Sequence, residues 1–197
     1  MKTLLTFVAA ILISITAQAQ TPSKNQSMNK DFLEIAAERY SVRKFSNKKV
    51  EKEKTDKILE ASKLAPTAVN SQPQKIYVLQ SEEAVKKANE ISPCIYGAPQ
   101  VFLICYDDNK ACKRDNDNYG DVDCTIVLTH MMLEAWNLGI GTCMVGKFDP
   151  ADAIKAFNLP ANIHPVLLMP FGYAAPDSKP SPKHSTFRPM EEMVEYK

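Results

Sequence analysis

The chain has 197 residues, 24 of them basic and 23 acidic, for a formal net charge of +1. This balance argues against a nucleic-acid partner, which usually demands a basic face. A hydrophobic fraction of 45% is ordinary for a globular fold.

Met1 to Gln20 reads as a secretory leader. Lys2 is the basic start, 4–15 is a mostly apolar run, and Ala17-Gln18-Ala19 is a small-residue cleavage site. The run is shorter than the ~20 apolar residues a transmembrane helix needs, so no stable membrane insertion is expected after cleavage. Removing residues 1–19 takes away Lys2, which leaves 23 basic against 23 acidic residues in a 178-residue chain. That is the size of one domain. The expected organisation is a signal peptide over 1–19, a disordered linker over 20–29, and one folded domain over 30–197, exported to the bacterial periplasm.

Asn29 to Tyr40 carries Phe32, Ile35, Ala36 and Tyr40 at helical spacing, and Val50 to Ala65 repeats the pattern with Ile58, Ala61 and Ala65. Pro66 ends the second helix. Lys75 to Leu79 is strand-like. Ser81-Glu82-Glu83 opens a third helix with a capping hydroxyl and acids in its first turn. Val101 to Tyr106 is an unbroken apolar run, the pattern of a buried strand. Asp107 to Asn118 is expected to be a charged loop.

Asp121 to Leu138 is the most apolar helix. Val122, Ile126, Leu133 and Trp136 form one stripe, and Val127, Met131, Met132 and Ala135 widen it around the cylinder. Such a helix is buried on several sides, in a core or at a subunit interface. Gly139 is a natural C-cap. Gly141 to Val145 is a strand or tight turn. Asp149-Pro150 starts a further helix, and His164 to Phe171 is a strand. From Ala174 the chain reads as an extended arm. The alternation of helices and strands indicates a mixed α+β or α/β domain.

The five cysteines are Cys94, Cys105, Cys112, Cys124 and Cys143. The odd count leaves at least one free, and mostly buried free thiols are expected; Cys112 and Cys124 would be the pair if one forms. His130, His164 and His184 lack metal-ligand spacing, so no metal site is expected. His130 reads as a satisfied core histidine, and Asp121 and Asp123 as helix-start capping groups. The spacing of Gly139, Gly141 and Gly146 is not that of a dinucleotide-binding turn.

Two segments carry candidate chemistry. Arg39, Ser41 and Arg43 alternate, so an extended backbone points three donors one way, toward a phosphate and a ring oxygen. Asn70 and Gln72 alternate in a loop bounded by Pro66 and Pro73, and their amides suit a uracil-like edge. Together they resemble the halves of a site for a phosphorylated flavin. Taken singly, each has a plainer explanation. The first could be a solvated helix end; the second could be ordinary turn chemistry.

The motifs then form an ordered series. It runs Arg39-Tyr-Ser-Val-Arg-Lys-Phe, Ala65-Pro-Thr-Ala-Val-Asn-Ser-Gln-Pro, Gly97-Ala-Pro99 and 123–146, which ends Leu-Gly-Ile-Gly-Thr-Cys-Met-Val-Gly. It closes with Phe148-Asp149, the 167–173 strand and Arg188-Pro-Met-Glu-Glu. From about residue 30 to 193 the chain resembles the nitroreductase family.

That resemblance implies an α+β three-layer sandwich, with a mostly antiparallel central sheet flanked by helices, in a homodimer with FMN at its interface. It assigns Arg39, Ser41 and Arg188 to the FMN phosphate, with Tyr40 in the same segment. It places Arg43 at the pyrimidine edge and Gly146-Lys147 in the turn facing flavin N5. Pro66, Thr67, Asn70 and Gln72 would approach from the partner subunit. Three positions depart from the family pattern. Gln74 stands where many members have an aromatic residue, and Gly146 where some have an acid. Thr186 stands where a basic residue is common, which weakens the phosphate clamp unless Lys183 or His184 substitutes.

The implied activity is transfer of electrons through flavin N5 from NAD(P)H or another donor to a nitroaromatic, a quinone or a similar small acceptor. No protein side chain need act covalently. The alternatives are an exported flavin-binding or electron-carrier protein, and another reaction on the same fold such as reductive dehalogenation.

Overall fold

The computed structural model describes residues 31–197. The expected leader and the whole of the expected linker lie outside the described residues.

The central sheet follows directly from the apolar runs. Strand β1 (Gln74–Leu79) pairs antiparallel with β2 (Gln100–Asp107), which pairs antiparallel with β6 (Ile163–Gly172). The short β5 (Gly141–Thr142) closes the sheet against β6, giving the order β1-β2-β6-β5. Along β2, successive side chains alternate between two faces. Val101, Leu103 and Cys105 enter one core, and Phe102 and Ile104 enter the other. Burial on both faces explains why β2 reads as a continuous apolar run.

Each face is covered by helices. On one side lie α2 (Lys52–Leu64) and α4 (Gly120–Asn137). Ile58 of α2 packs there with Val127, Leu128, Met131 and Ala135 of α4 and the stacked rings of Phe102 and Phe171, whose centroids are 4.1 Å apart. On the other side lie α3 (Glu82–Ile91) and α5 (Pro150–Phe157), with Ala88 of α3 in a core that Ile154 and Phe157 of α5 pack against. The result is an α+β three-layer sandwich with a mostly antiparallel sheet, as expected. A short α1 (Phe32–Glu38) precedes these layers and touches α4.

The helix ends follow local chemistry. Ser81 Oγ accepts the Ala84 amide at 3.2 Å to start α3, and the Asp149 carboxylate accepts the Ala151 amide at 2.8 Å to start α5. Gly139 takes φ +74° after α4, where a side chain would be strained.

Four expectations need correction. The 107–118 segment is not a plain loop: β3 (Lys113–Arg114) and β4 (Asp117–Asn118) form a small hairpin. Asp108 pins it, accepting from Lys113 at 2.7 Å and from Asn118 at 3.0 Å. On α4, Val122 is 53% exposed, so the expected Val122 stripe is not the core face. The core face is instead Cys124, Val127, Leu128, Met131 and Ala135. His130 is not a core residue but half-buried in a groove lined by Phe32, Ile35 and Leu64, with Nδ1 2.9 Å from Ile126 O. Asp123 does not cap α4; its role is described below. All five cysteines are free, with Cys105, Cys124 and Cys143 buried. Burial alone pushes the Cys105 thiol up to about 12.

Candidate functional site

The first expected segment lies beyond β5 at the sheet edge. Helix α1 stops at Glu38, and Arg39 turns extended at φ −58°, ψ 127°. Ser41 forms a parallel bridge with Thr142, and the Val42 amide donates to Thr142 O at 2.9 Å. Phe45 bridges Ala174. Val42 and Phe45 turn inward and are buried, which fixes the register. Arg39, Ser41 and Arg43 are left half-buried or exposed.

These side chains line a cleft of about 290 Å³ together with Tyr40. Its other wall is the tail, through Ser181, Lys183 and His184. Several contacts hold the tail in place. The Tyr40 hydroxyl donates to Ser178 Oγ at 3.4 Å, and His184 Nε2 lies 3.1 Å from Ala37 O. The Ala175 amide donates to Lys44 O at 3.0 Å, beside a salt bridge between Lys44 and Asp177. Among the described residues, no carboxylate is salt-bridged to Arg39, Arg43 or Lys183. Three cations with no carboxylate salt-bridged to them among the described residues, beside hydroxyls, suit a phosphate.

Arg188 is exposed and does not line this cleft. Lys183 and His184 line the cleft, and Thr186 does not. Gly146 and Lys147 are exposed in the turn after β5 and are likewise outside the cleft. That turn is tied down by Ser92, whose buried hydroxyl donates to Lys147 O at 2.8 Å and accepts the Cys94 amide at 3.2 Å.

Tyr96, which the motifs did not single out, reaches Arg43. Its phenol is raised above the usual tyrosine range, first by its hydrogen bond to the Cys94 thiol and then by burial, while Arg43 opposes the shift. The Cys143 thiol is also raised, chiefly by burial, with Arg43 and the Ser41 hydroxyl opposing. Arg43 thus sits beside two groups that stay neutral, and only partly offsets the upward shifts.

The second expected segment stands apart from this cleft within one chain. Pro66, Thr67, Asn70 and Gln72 belong to the loop between α2 and β1, docked on the start of α4. Val69, Asn70 and Gln72 take φ of 50°, 56° and 47°. Left-handed backbone costs about 1–2 kcal/mol for a residue with a side chain, so the loop is strained at three points. Both amides are exposed, and Gln72 Nε2 donates to Asn70 Oδ1 at 2.9 Å. With that bond made, Asn70 Nδ2 still offers donors and Gln72 Oε1 an acceptor. This is the complement of an imide edge, which carries an N–H beside a carbonyl.

Asp123 anchors this loop. Its side chain is 1% exposed, and Oδ1 accepts the Ala68 amide at 2.8 Å. Sequence reading missed this contact because the partners are 55 residues apart. An acid at a helix start already has a sufficient local explanation.

Known proteins share this fold. The model of the nitroreductase family matches residues 36–94 and 86–173. A nitroreductase family protein from Clostridium difficile 630 has a solved structure 37% identical to this chain, with a TM-score of 0.80. The match covers 85% of this chain and 98% of that one. The NAD(P)H-dependent FMN reductase of Bacillus subtilis strain 168 is 29% identical over 163 residues. That alignment spans 73% of this chain and 66% of the relative. A structure from Exiguobacterium sibiricum 255-15, solved in complex with FMN, shares the fold at a TM-score of 0.74 and 22% identity. It is matched over 85% of this chain and 98% of that one.

Proposed function

This chain belongs to the nitroreductase family, and from that premise we propose that it is an FMN-dependent oxidoreductase using NAD(P)H. The observation that carries the reading is the Arg39–Arg43 cleft. Its free cations and hydroxyls fit a phosphate, and the Asn70–Gln72 pair fits the imide edge of a flavin.

In this reading Arg39, Ser41 and Lys183 hold the FMN phosphate, with Tyr40 and His184 shaping the wall. Arg43 is the cation for the pyrimidine end, where it favours negative charge on the ring. Asn70 Nδ2 and Gln72 Oε1 orient the ring by its imide. Pro66 and Thr67 fix the approach of that loop, and Gly146 and Lys147 form the turn toward N5. Bound there, FMN would supply the redox chemistry, a two-electron exchange between NAD(P)H and a nitroaromatic, quinone or similar acceptor. Arg188, exposed in one chain, is available to a phosphate only in the assembled site.

We further propose that the working form is a homodimer. Phe32, Leu33, Leu64 and Val69 are 62%, 69%, 72% and 77% exposed. Val122 at the start of α4 is 53% exposed, and Phe32 and Leu64 line the groove beside His130 between α1, α2 and α4. Apolar exposure on this scale marks an interaction surface. A partner seated there would bring its Asn70–Gln72 loop toward the other chain's cleft. The residue pattern of 1–19 supports export of the protein, with the periplasm as its place of work.

The test is direct. Purified protein should carry a yellow chromophore released as FMN on denaturation. It should oxidise NADH or NADPH faster when a nitroaromatic or quinone is added. A protein that binds no flavin after FMN reconstitution would overturn the reading.

A further inference from the structure

We propose that Asp123 is the positioning residue for the Asn70–Gln72 pair. Through the Ala68 amide it holds the strained turn in which those amides form a ring-binding edge. The inference rests on the FMN reading of the site and goes beyond it, since Asp123 lines no part of the cleft and makes its contact with the loop at the Ala68 backbone, not at the Asn70 or Gln72 side chains.

Three observations converge. First, Asp123 is buried to 1% exposure in the α2–α4 layer, a position where an apolar residue would satisfy packing alone. It accepts one hydrogen bond, from Ala68 N to Oδ1 at 2.8 Å, and Oδ2 has no partner among the described residues. A half-satisfied buried carboxylate is costly, so its retention points to something other than core stability.

Second, the orphaned polar atoms cluster. The buried side-chain atoms without partners among the described residues are Ser71 Oγ, Gln74 Oε1 and Asp123 Oδ2. All three lie in this loop, at its end or against it, as do the left-handed φ angles of Val69, Asn70 and Gln72. Strain and unsatisfied polar groups concentrated in one turn are the mark of a segment held in place for its outward groups.

Third, the other bonds of the turn are internal. Asn70 N donates to Thr67 O at 2.9 Å, Ser71 N to Ala68 O at 3.0 Å, and Gln72 N to Thr67 Oγ1 at 3.0 Å. They shape the turn but do not place it. Among the described residues, Asp123 ties the centre of the turn to α4 through the Ala68 amide.

The experiment compares Asp123→Ala, Asp123→Asn and Ala68→Pro by titrating apo-protein with FMN and with riboflavin. Ala68→Pro deletes only the donor, and Thr67 before it is already extended at φ −132°, ψ 157°, as proline requires. Asp123→Ala should weaken FMN and riboflavin by the same factor, about tenfold or more, as for loss of a hydrogen bond to a charged group. Equal factors identify the ring end. Asp123→Asn, which keeps an acceptor, should restore most of the affinity. Asp123→Ala and Ala68→Pro combined should be no worse than the poorer single variant.

A folded Asp123→Ala or Ala68→Pro protein with unchanged riboflavin affinity would overturn the inference, as would additive losses. If neither variant folds, amide exchange in the unsubstituted apo-protein decides. Ala68 must be protected, and exchange there as fast as at an exposed amide would overturn the inference. Failure of the unsubstituted protein to bind flavin would instead sink the FMN reading itself.

Discussion

Val42 rests against the bare Cα of Gly141: a Cβ built on that glycine would stand 2.5 Å from Val42 Cγ2 and 3.0 Å from Val42 Cβ. Val42 is fully buried, and its amide donates to the neighbouring Thr142. The Arg39–Arg43 segment can therefore lie along β5 only because Gly141 has no side chain.

Gly141→Ala should destabilise the protein by about 1–3 kcal/mol, the usual cost of overpacking. It should also weaken FMN binding, because the segment must shift. Adding Val42→Ala should recover part of the flavin affinity. Thermal unfolding and flavin titration of the single and double variants check this.

Glu51 links the end of β6 to the start of α2. Its carboxyl is lowered to about 2, first by its hydrogen bond with Lys48 and then by the Tyr173 hydroxyl, which donates at 2.6 Å. A folded-state pKa below the unfolded value means the stabilisation is complete above the unfolded value of about 4.3. It is lost as pH falls through the folded value of about 2. The stability difference between the native protein and Glu51→Gln should therefore shrink steadily on acidification over that window. Urea midpoints measured across it provide the check.

Leu64 is 72% exposed on the proposed subunit face. Leu64→Glu should shift the protein from dimer to monomer at low micromolar concentration. It should leave the far-ultraviolet dichroism unchanged and reduce flavin retention. Sedimentation velocity with absorbance detection of both protein and flavin reads all three effects.

The tail offers a comparison within one segment. Lys183 lines the cleft and Arg188 does not. Lys183→Ala should weaken FMN by about tenfold and riboflavin little, as for loss of one charged hydrogen-bond partner. Arg188→Ala should have the smaller effect in a protein held monomeric by Leu64→Glu.

Much of the scaffold was legible because its signals are local. The caps at Ser81 and Asp149, the C-terminal Gly139 and the apolar run of β2 each specify structure within a few residues. The extended alternation of Arg39, Ser41 and Arg43 was equally readable. What escaped was tertiary. Val122 shares the helical spacing of core residues, and only the packing of α2 against α4 shows that it faces outward. Nothing near Asp123 signals a contact with Ala68, and nothing near Tyr96 signals Arg43. In the tail, the family resemblance assigned Arg188 to the phosphate, and the Ser178 and His184 contacts bring Lys183 into the Arg39 cleft.

The most direct test of the central claim is a titration of apo-protein carrying Arg39→Ala with FMN and with riboflavin, which lacks the phosphate. Arg39 should contribute through the phosphate, so FMN affinity should fall roughly ten- to hundredfold, the weight of a charged hydrogen-bond partner. Riboflavin affinity should stay near that of the unsubstituted protein. Equal losses for the two flavins would contradict the placement of the phosphate in the Arg39 cleft.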